Sequence, residues 1–503
     1  MLKEKNINII YLLLFVSFFF IHFHQLLHQH WSGVLDQDLV IIYNSILLNS
    51  GLEQEYREHP AFTTFMINSL MYKFLNIFSK IPYEINSILN ANNINEIFQY
   101  YFYISRTVNF FCNILLILFF NKILKKLKLK EEIRFLICLI FITSIGYISS
   151  FFVIRSENIS LLFLIFSINA ALTENKSRIL NFFIAGIFFS LAMLAKIQII
   201  FLALFIIYLI VNIERNNKYN VINNVYIKNY LLLSLLVGFF SYFAFQVYVQ
   251  EFPRFQSRKY LDLVFFSISF FVFIFYFYLS KNFKENILIF SSMVNGIFFC
   301  IFLIFFFDKI NILKVNDFIF LRITNPIHYM SEYADTNKTA SLINFDYIKI
   351  HLNHFFSDYK FSKIELLLFI ALILVNLKNK SINFAIILIF IVNTLIINFR
   401  FAEYYYIYYI FIYLILFSEM VKKLDNKLSI RFTCVALIVF SINNMNLLFF
   451  KNNFFNEIFY RENNMLKVCN EYKLGRKKSG EYIKYWHNKI DDKKIKKICN
   501  EIV

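Results

Sequence analysis

The sequence predicts an all-α, polytopic integral membrane protein with about thirteen transmembrane helices, since roughly twenty consecutive apolar residues cross a bilayer and such runs recur along the chain. Hydrophobic residues make up 59% of the chain, and its mean hydropathy is +0.57. Only 17% of residues are charged, against about a quarter in a soluble domain. The apolar residues are also gathered into long runs separated by short basic segments.

The expected spans lie near 7–27, 98–120, 133–152, 157–172, 179–195, 197–212, 229–249, 261–280, 287–307, 363–377, 382–398, 402–418 and 431–450. Lys3 and Lys5 precede the first run as in a signal peptide, but the run is long and no small-x-small cleavage site follows, so it reads as a retained signal-anchor helix. The division of 179–212 into two short helices rests on Lys196; a single long tilted helix is the alternative, and it would reverse the side of every later loop.

Loop charge orients the set. The loops 121–134, 173–178, 212–228, 281–285, 377–381 and 419–431 are short and basic and are assigned to the cytoplasm. The segments 28–97, 155–158, 251–260, 308–362 and 400–401, with Lys196 and the tail 451–503, are assigned outside. The expectation is a bacterial inner-membrane protein with a cytoplasmic N-terminus and a periplasmic C-terminus, the Lys-rich tail being the exception to the charge rule. Residues 1–450 then form the membrane domain, with a first periplasmic loop over 28–97 and a large one over 308–362.

Within the first loop, 39–48 is nearly continuous in apolar residues and 62–81 is amphipathic; both are expected to lie along the membrane surface. With 8 Gly and 4 Pro against 68 Phe and 32 Tyr, small-residue helix contacts should be sparse and aromatics should fill the interfaces. The net charge of +18 does not indicate nucleic acid, because the cations sit in inter-span loops. Cys112, Cys138, Cys300 and Cys434 fall in spans as small hydrophobes, while Cys469 and Cys499 could pair in a periplasmic tail. His22, His24, His28 and His30 suit a polar interface better than a metal cluster, since no carboxylate stands at matching spacing.

Chemistry-bearing residues collect at the outer rim. Asp36 and Asp38 follow the first span; one could act as general base toward a hydroxyl and the other orient it or bind a cation, unless they are solvated carboxylates or a helix cap. His59, before Pro60, could bond a phosphate or simply begin a helix. Arg155 and Glu157 share the next outer hairpin, where charges are costly unless paired or used. Lys196 either snorkels or meets a lipid phosphate, and Arg400, beside Glu403 and Tyr404–Tyr406, is a second phosphate candidate or an anchor in an aromatic belt.

This arrangement resembles the GT-C membrane glycosyltransferases, which include the protein O-mannosyltransferases, the aminoarabinose transferases of lipid A and related family 39-like enzymes. The likeness is carried by Asp36 and Asp38 after span one, Tyr43, the phrase Leu48-Asn-Ser-Gly51, His59-Pro60, Arg155-x-Glu157, Ala195-Lys196 and Arg400 with its tyrosines, and is best over residues 30–200. It implies a polyprenyl-phosphate-linked sugar donor, a lipid, glycan or protein acceptor, and a first-loop Asp as base. Asp36 or Asp38 would deprotonate the acceptor, and Lys196, Arg155 or Arg400 would stabilise the departing phosphate. Many members carry Asp-Glu where this chain has Asp-Gln-Asp, so the base is either aspartate; prolines that often follow the late Arg-Tyr motif are absent here. The two aspartates could hold Mg²⁺ or Mn²⁺, although a base-only mechanism needs none. The alternative classes are a transporter or lipid flippase, which usually shows a mid-membrane site and repeated halves, and a non-catalytic envelope assembly protein.

Overall fold

The computed structural model describes residues 4–28, 38–52, 61–91, 93–151, 153–173, 178–196, 283–310 and 406–421, together with the isolated positions 199, 202, 435, 438, 439 and 442. The described residues are helical and contain no strand. In chain order they form α1 (Glu4–His28), α2 (Val40–Asn49), α3 (Phe62–Ser79), α4 (Ile85–Leu89), α5 (Ile94–Lys126), α6 (Glu131–Thr143), α7 (Ile145–Phe151), α8 (Ser156–Ala171), α9 (Arg178–Ala195), α10 (Phe283–Lys309) and α11 (Tyr406–Val421). Two stretches, Glu96–Lys126 and Arg178–Ala195, are long and apolar enough to cross a membrane. The expected spans near 229–249, 261–280, 363–377 and 382–398 lie outside the described residues, as do nearly all of 197–212 and 431–450.

Several boundaries have local causes. The expected span 133–152 divides into α6 and α7 at Ser144, whose extended backbone breaks the helix. The Ser144 hydroxyl accepts the Tyr147 amide at 3.3 Å, which caps the new helix. α9 ends at Ala195, leaving Lys196 just beyond a helix terminus. α2 closes with Gly51 at φ 64, where the Leu52 amide reaches back to the Leu47 carbonyl at 3.0 Å. That is a Schellman ending, and its left-handed position explains the glycine in the Leu48-Asn-Ser-Gly51 phrase.

The two first-loop helices differ from each other. α2 is enclosed by protein: Ile41–Asn49 are buried, packed against α3, α4 and α5. Its apolar residues run around the whole helix, which is the pattern of an enclosed helix and not of an amphipathic one. α3 is two-faced in the opposite sense to a soluble helix. Thr63, Thr64, Asn68, Ser69 and Tyr72 are buried, while Leu70, Phe74, Ile77 and Phe78 are exposed. Three of them bond to neighbouring elements: Thr63 to the Leu191 carbonyl at 2.7 Å, Ser69 to Asn49 at 2.5 Å and Tyr72 with Ser105 at 2.5 Å, while Asn68 donates to the Thr64 carbonyl of its own helix at 2.9 Å.

Helix packing uses both aromatics and glycine. Phe120 of α5 meets Phe141 of α6 and Phe411 of α11. The Tyr406, Tyr409, Tyr413 and Phe417 rings stack along α11. Glycine permits close backbone approach at two places: Gly146 of α7 lies against the α11 backbone at Tyr406 and Ile407, and α9 crosses α10. Gly186 of α9 and Gly296 of α10 face each other so closely that a Cβ on either would land on the other helix's backbone, at Met293 or Phe183. Each sits in a small-xxx-small pair, Gly186 with Ser190 and Ser292 with Gly296, which lets backbones approach.

The bundle has two chemically distinct ends. At one, Lys126 donates to the Asn169 carbonyl at 2.6 Å and to Thr173 at 3.0 Å, and Asn181 donates to the Thr173 carbonyl at 2.7 Å. A lysine there satisfies the last carbonyls of α8 and complements its dipole. The opposite end collects the start of α2, the turn between α7 and α8, and the end of α9.

Candidate functional site

Asp38 stands immediately before α2 and is fully buried. Its Oδ2 accepts from Arg106 Nε at 2.8 Å and also from the same guanidinium's terminal nitrogen. Its Oδ1 accepts the backbone amide of Ile154 at 2.7 Å. Burial pushes the Asp38 carboxyl above its ordinary range, while the Arg106 guanidinium, the Ile154 amide and Arg155 pull it down. Arg106 is placed by α5 and lies against the Phe102 ring, 5.0 Å from its centroid.

A second buried ion pair lies beside the first. Glu157, in the first turn of α8, accepts from Lys196 Nζ at 2.8 Å. The four paired side chains are between 0% and 2% exposed. Arg155, between Ile154 and the first turn of α8, acts electrostatically on both carboxylates. Three cations and two carboxylates thus converge from α5, the α7–α8 turn, α8, the end of α9 and the start of α2. This cluster carries one more positive than negative charge, a balance suited to an anion.

Of the sequence-predicted residues, Asp38, Arg155, Glu157 and Lys196 are therefore brought together. Asp36, His59 and Arg400 lie outside the described residues, as do Cys434, Cys469 and Cys499. Both Asp38 oxygens are committed to donors, and one of them to a guanidinium, so Asp38 is badly placed to take an acceptor proton or to hold Mg²⁺ or Mn²⁺ beside a fixed cation. Lys196 is not a snorkelling side chain but a buried one held by Glu157. Among the described residues no group of three His, Cys, Asp or Glu side chains converges as a metal site. Within the N-terminal His group, His22 is buried, its ring stacked at 4.7 Å on Phe110, whereas His24 is exposed. Cys112, Cys138 and Cys300 take part in no disulfide among the described residues.

Arg106 and Asn109 escaped the sequence reading. The signal was present, since an arginine and an asparagine inside the apolar run 98–120 are expensive unless partnered or used. What the sequence did not show was the partner, which lies 68 residues away. No protein-family model, curated protein or solved structure matches this chain, so the likeness to the GT-C transferases rests on these residues alone.

Proposed function

We propose that the chain is a multi-pass membrane glycosyltransferase of about thirteen spans. It would move a sugar from a polyprenyl-phosphate donor to a lipid, glycan or protein acceptor on the outer face of a bacterial inner membrane. The observation that carries this reading is the convergence of Asp38–Arg106, Arg155 and Glu157–Lys196 at one end of the bundle. Buried ion pairs cost several kcal/mol of desolvation per ion and contribute little net stability. Their concentration beside an acidic loop therefore favours a working site over a structural one. Exposed apolar ridges on α1, α3, α5 and α10, over buried polar groups, support a lipid surround.

In this mechanism Asp36 is the base. Asp38, two residues on, is fixed by Arg106 and Ile154 and anchors the acidic loop. The Asp36 carboxylate takes the proton of the acceptor hydroxyl, and the oxygen attacks the anomeric carbon. The bond from that carbon to the phosphate oxygen breaks, the electron pair leaves with the lipid phosphate, and the configuration inverts. Arg155 and Lys196 supply preorganised positive charge for the departing phosphate, with Glu157 orienting Lys196. His59 and Arg400 are further candidates for the donor phosphate.

A transporter remains the second reading, because buried carboxylate–cation pairs also serve proton and ion pathways. Transfer of radiolabelled sugar from the polyprenyl-phosphate pool to envelope acceptors separates the two. Membranes containing the protein should show transfer that membranes lacking it do not. Equal incorporation in both, with movement of a labelled solute or lipid dependent on the protein, would favour the transporter.

A further inference from the structure

The turn between α7 and α8 supplies both halves of the site: the Ile154 amide and Arg155 toward Asp38, then Glu157 toward Lys196. Such a turn follows a helix end, where the last carbonyls have no partner within the helix. Those carbonyls converge on one side chain. Asn109 of α5, one turn beyond Arg106, directs its Nδ2 at the carbonyls of Ser150, Phe151 and Val153, at 3.1, 3.1 and 3.2 Å. Its Oδ1 accepts Asn158 Nδ2 of α8 at 2.7 Å, and Asn158 also reaches the Ser150 carbonyl at 3.4 Å. Both asparagines are buried.

We infer that Asn109 is a positioning residue: it staples the α7–α8 turn to the helix that carries Arg106, and so sets the register between the Asp38–Arg106 and Glu157–Lys196 pairs. The inference rests on the transferase reading for its functional meaning, but the staple itself does not. A single amide spans three elements here. Arg106 and Asn109 share one face of α5 at a three-residue spacing, so Asp38 and the turn are held by the same rigid helix. Without Asn109, the Ser150, Phe151 and Val153 carbonyls lose a shared donor, and the Ile154 amide is no longer fixed against Asp38 Oδ1. Displacement of a site by about an ångström is enough to cost much of its rate.

The test compares Asn109→Leu with Asn169→Leu. Asn169 is a buried asparagine at the far end of α8, bonded to the Phe119 and Ile165 carbonyls at 3.0 Å each, and serves as a structural control. Both variants should lower the thermal midpoint of the detergent-solubilised full chain. At a temperature where each is folded, Asn109→Leu should lower kcat for sugar transfer about tenfold or more, with Asn169→Leu unchanged within about twofold. Equal losses in both would overturn the positioning role.

A second arm needs no activity. Thermal midpoints of Asn109→Leu, Asp38→Ala and the double variant should be non-additive, because either change releases the same turn: the alanine removes the oxygen that accepts the Ile154 amide. Additive shifts would overturn the staple. If Asn109→Leu does not fold, Asn158→Ala removes the Asn158 donors and should couple to Asp38→Ala in the same direction; additivity there would equally overturn it. Absence of transfer in the wild type would remove the transferase reading while the coupling arm still decides the staple.

Discussion

Removing one charge of the Asp38–Arg106 pair should be far more damaging than removing both. In Asp38→Asn, the guanidinium loses its anionic acceptor while remaining 1% exposed against the Phe102 face. In Arg106→Leu, Asp38 keeps the Ile154 amide but loses two guanidinium donors while fully buried. Stranding one member of a buried pair costs about 3–5 kcal/mol. The double variant Asp38→Asn/Arg106→Leu leaves no buried charge, and the neutral asparagine can still serve Ile154. Its loss should fall below the sum of the singles by roughly 2–3 kcal/mol, at the upper end for residues in contact. Equilibrium unfolding in mixed detergent micelles reads all three. Arg106→Lys should restore only part of the stability, since an ammonium cannot reproduce the forked contact. Single variants that each lose less than about 1 kcal/mol, or a double variant equal to their sum, would refute the claim that the pair is a desolvated unit.

Three further outcomes follow from local geometry. At the α9–α10 crossing, Gly186→Ala and Gly296→Ala should each destabilise by about 1–3 kcal/mol, because the methyl meets backbone that cannot move aside. Alanine's intrinsic helix preference of about 1 kcal/mol acts the other way, so a net gain in the unfolding midpoint would show that the crossing is not that close. His22→Phe should raise the midpoint, since it keeps the stack on Phe110 and removes two ring nitrogens that have no partner among the described residues, each costing about 1 kcal/mol or more when buried unpaired; a clear loss of stability would mean that His22 bonds a group elsewhere in the chain. Gly51→Ala should cost about 1–2 kcal/mol at its left-handed φ, and Gly51→Asn less; equal unfolding midpoints for glycine and alanine would contradict the Schellman ending.

The helical class, the helices at 4–28, 94–126, 156–171, 178–195, 283–309 and 406–421, and the stop at Lys196 were legible because long apolar runs and a lone lysine are local signals. The fate of α2 was less so. Its uniform apolarity was visible, but whether protein or lipid covers such a helix depends on which neighbours surround it. The break at Ser144 was missed because a serine in an apolar run signals a cap only once the Tyr147 amide turns back onto it. Four of the seven candidate site residues stand together because charges in a greasy chain mark themselves. Arg106 and Asn109 were hidden among the aromatics of a long span, and their roles exist only through contacts with residues 38 and 150–158. Sequence spacing could not assign Asp38 its role either, since a base and an anchor are the same residue type until the donors around them are known.

The central claim is tested most directly with purified, equally folded wild type, Asp36→Asn and Asp38→Asn, by measuring release of free polyprenyl phosphate from a polyprenyl-phosphate sugar in the presence of acceptor. The account predicts that Asp36→Asn abolishes release with an unchanged unfolding midpoint, whereas Asp38→Asn lowers both the midpoint and the rate. Wild-type release persisting undiminished in Asp36→Asn, or lost only in Asp38→Asn with no change in stability, would contradict it.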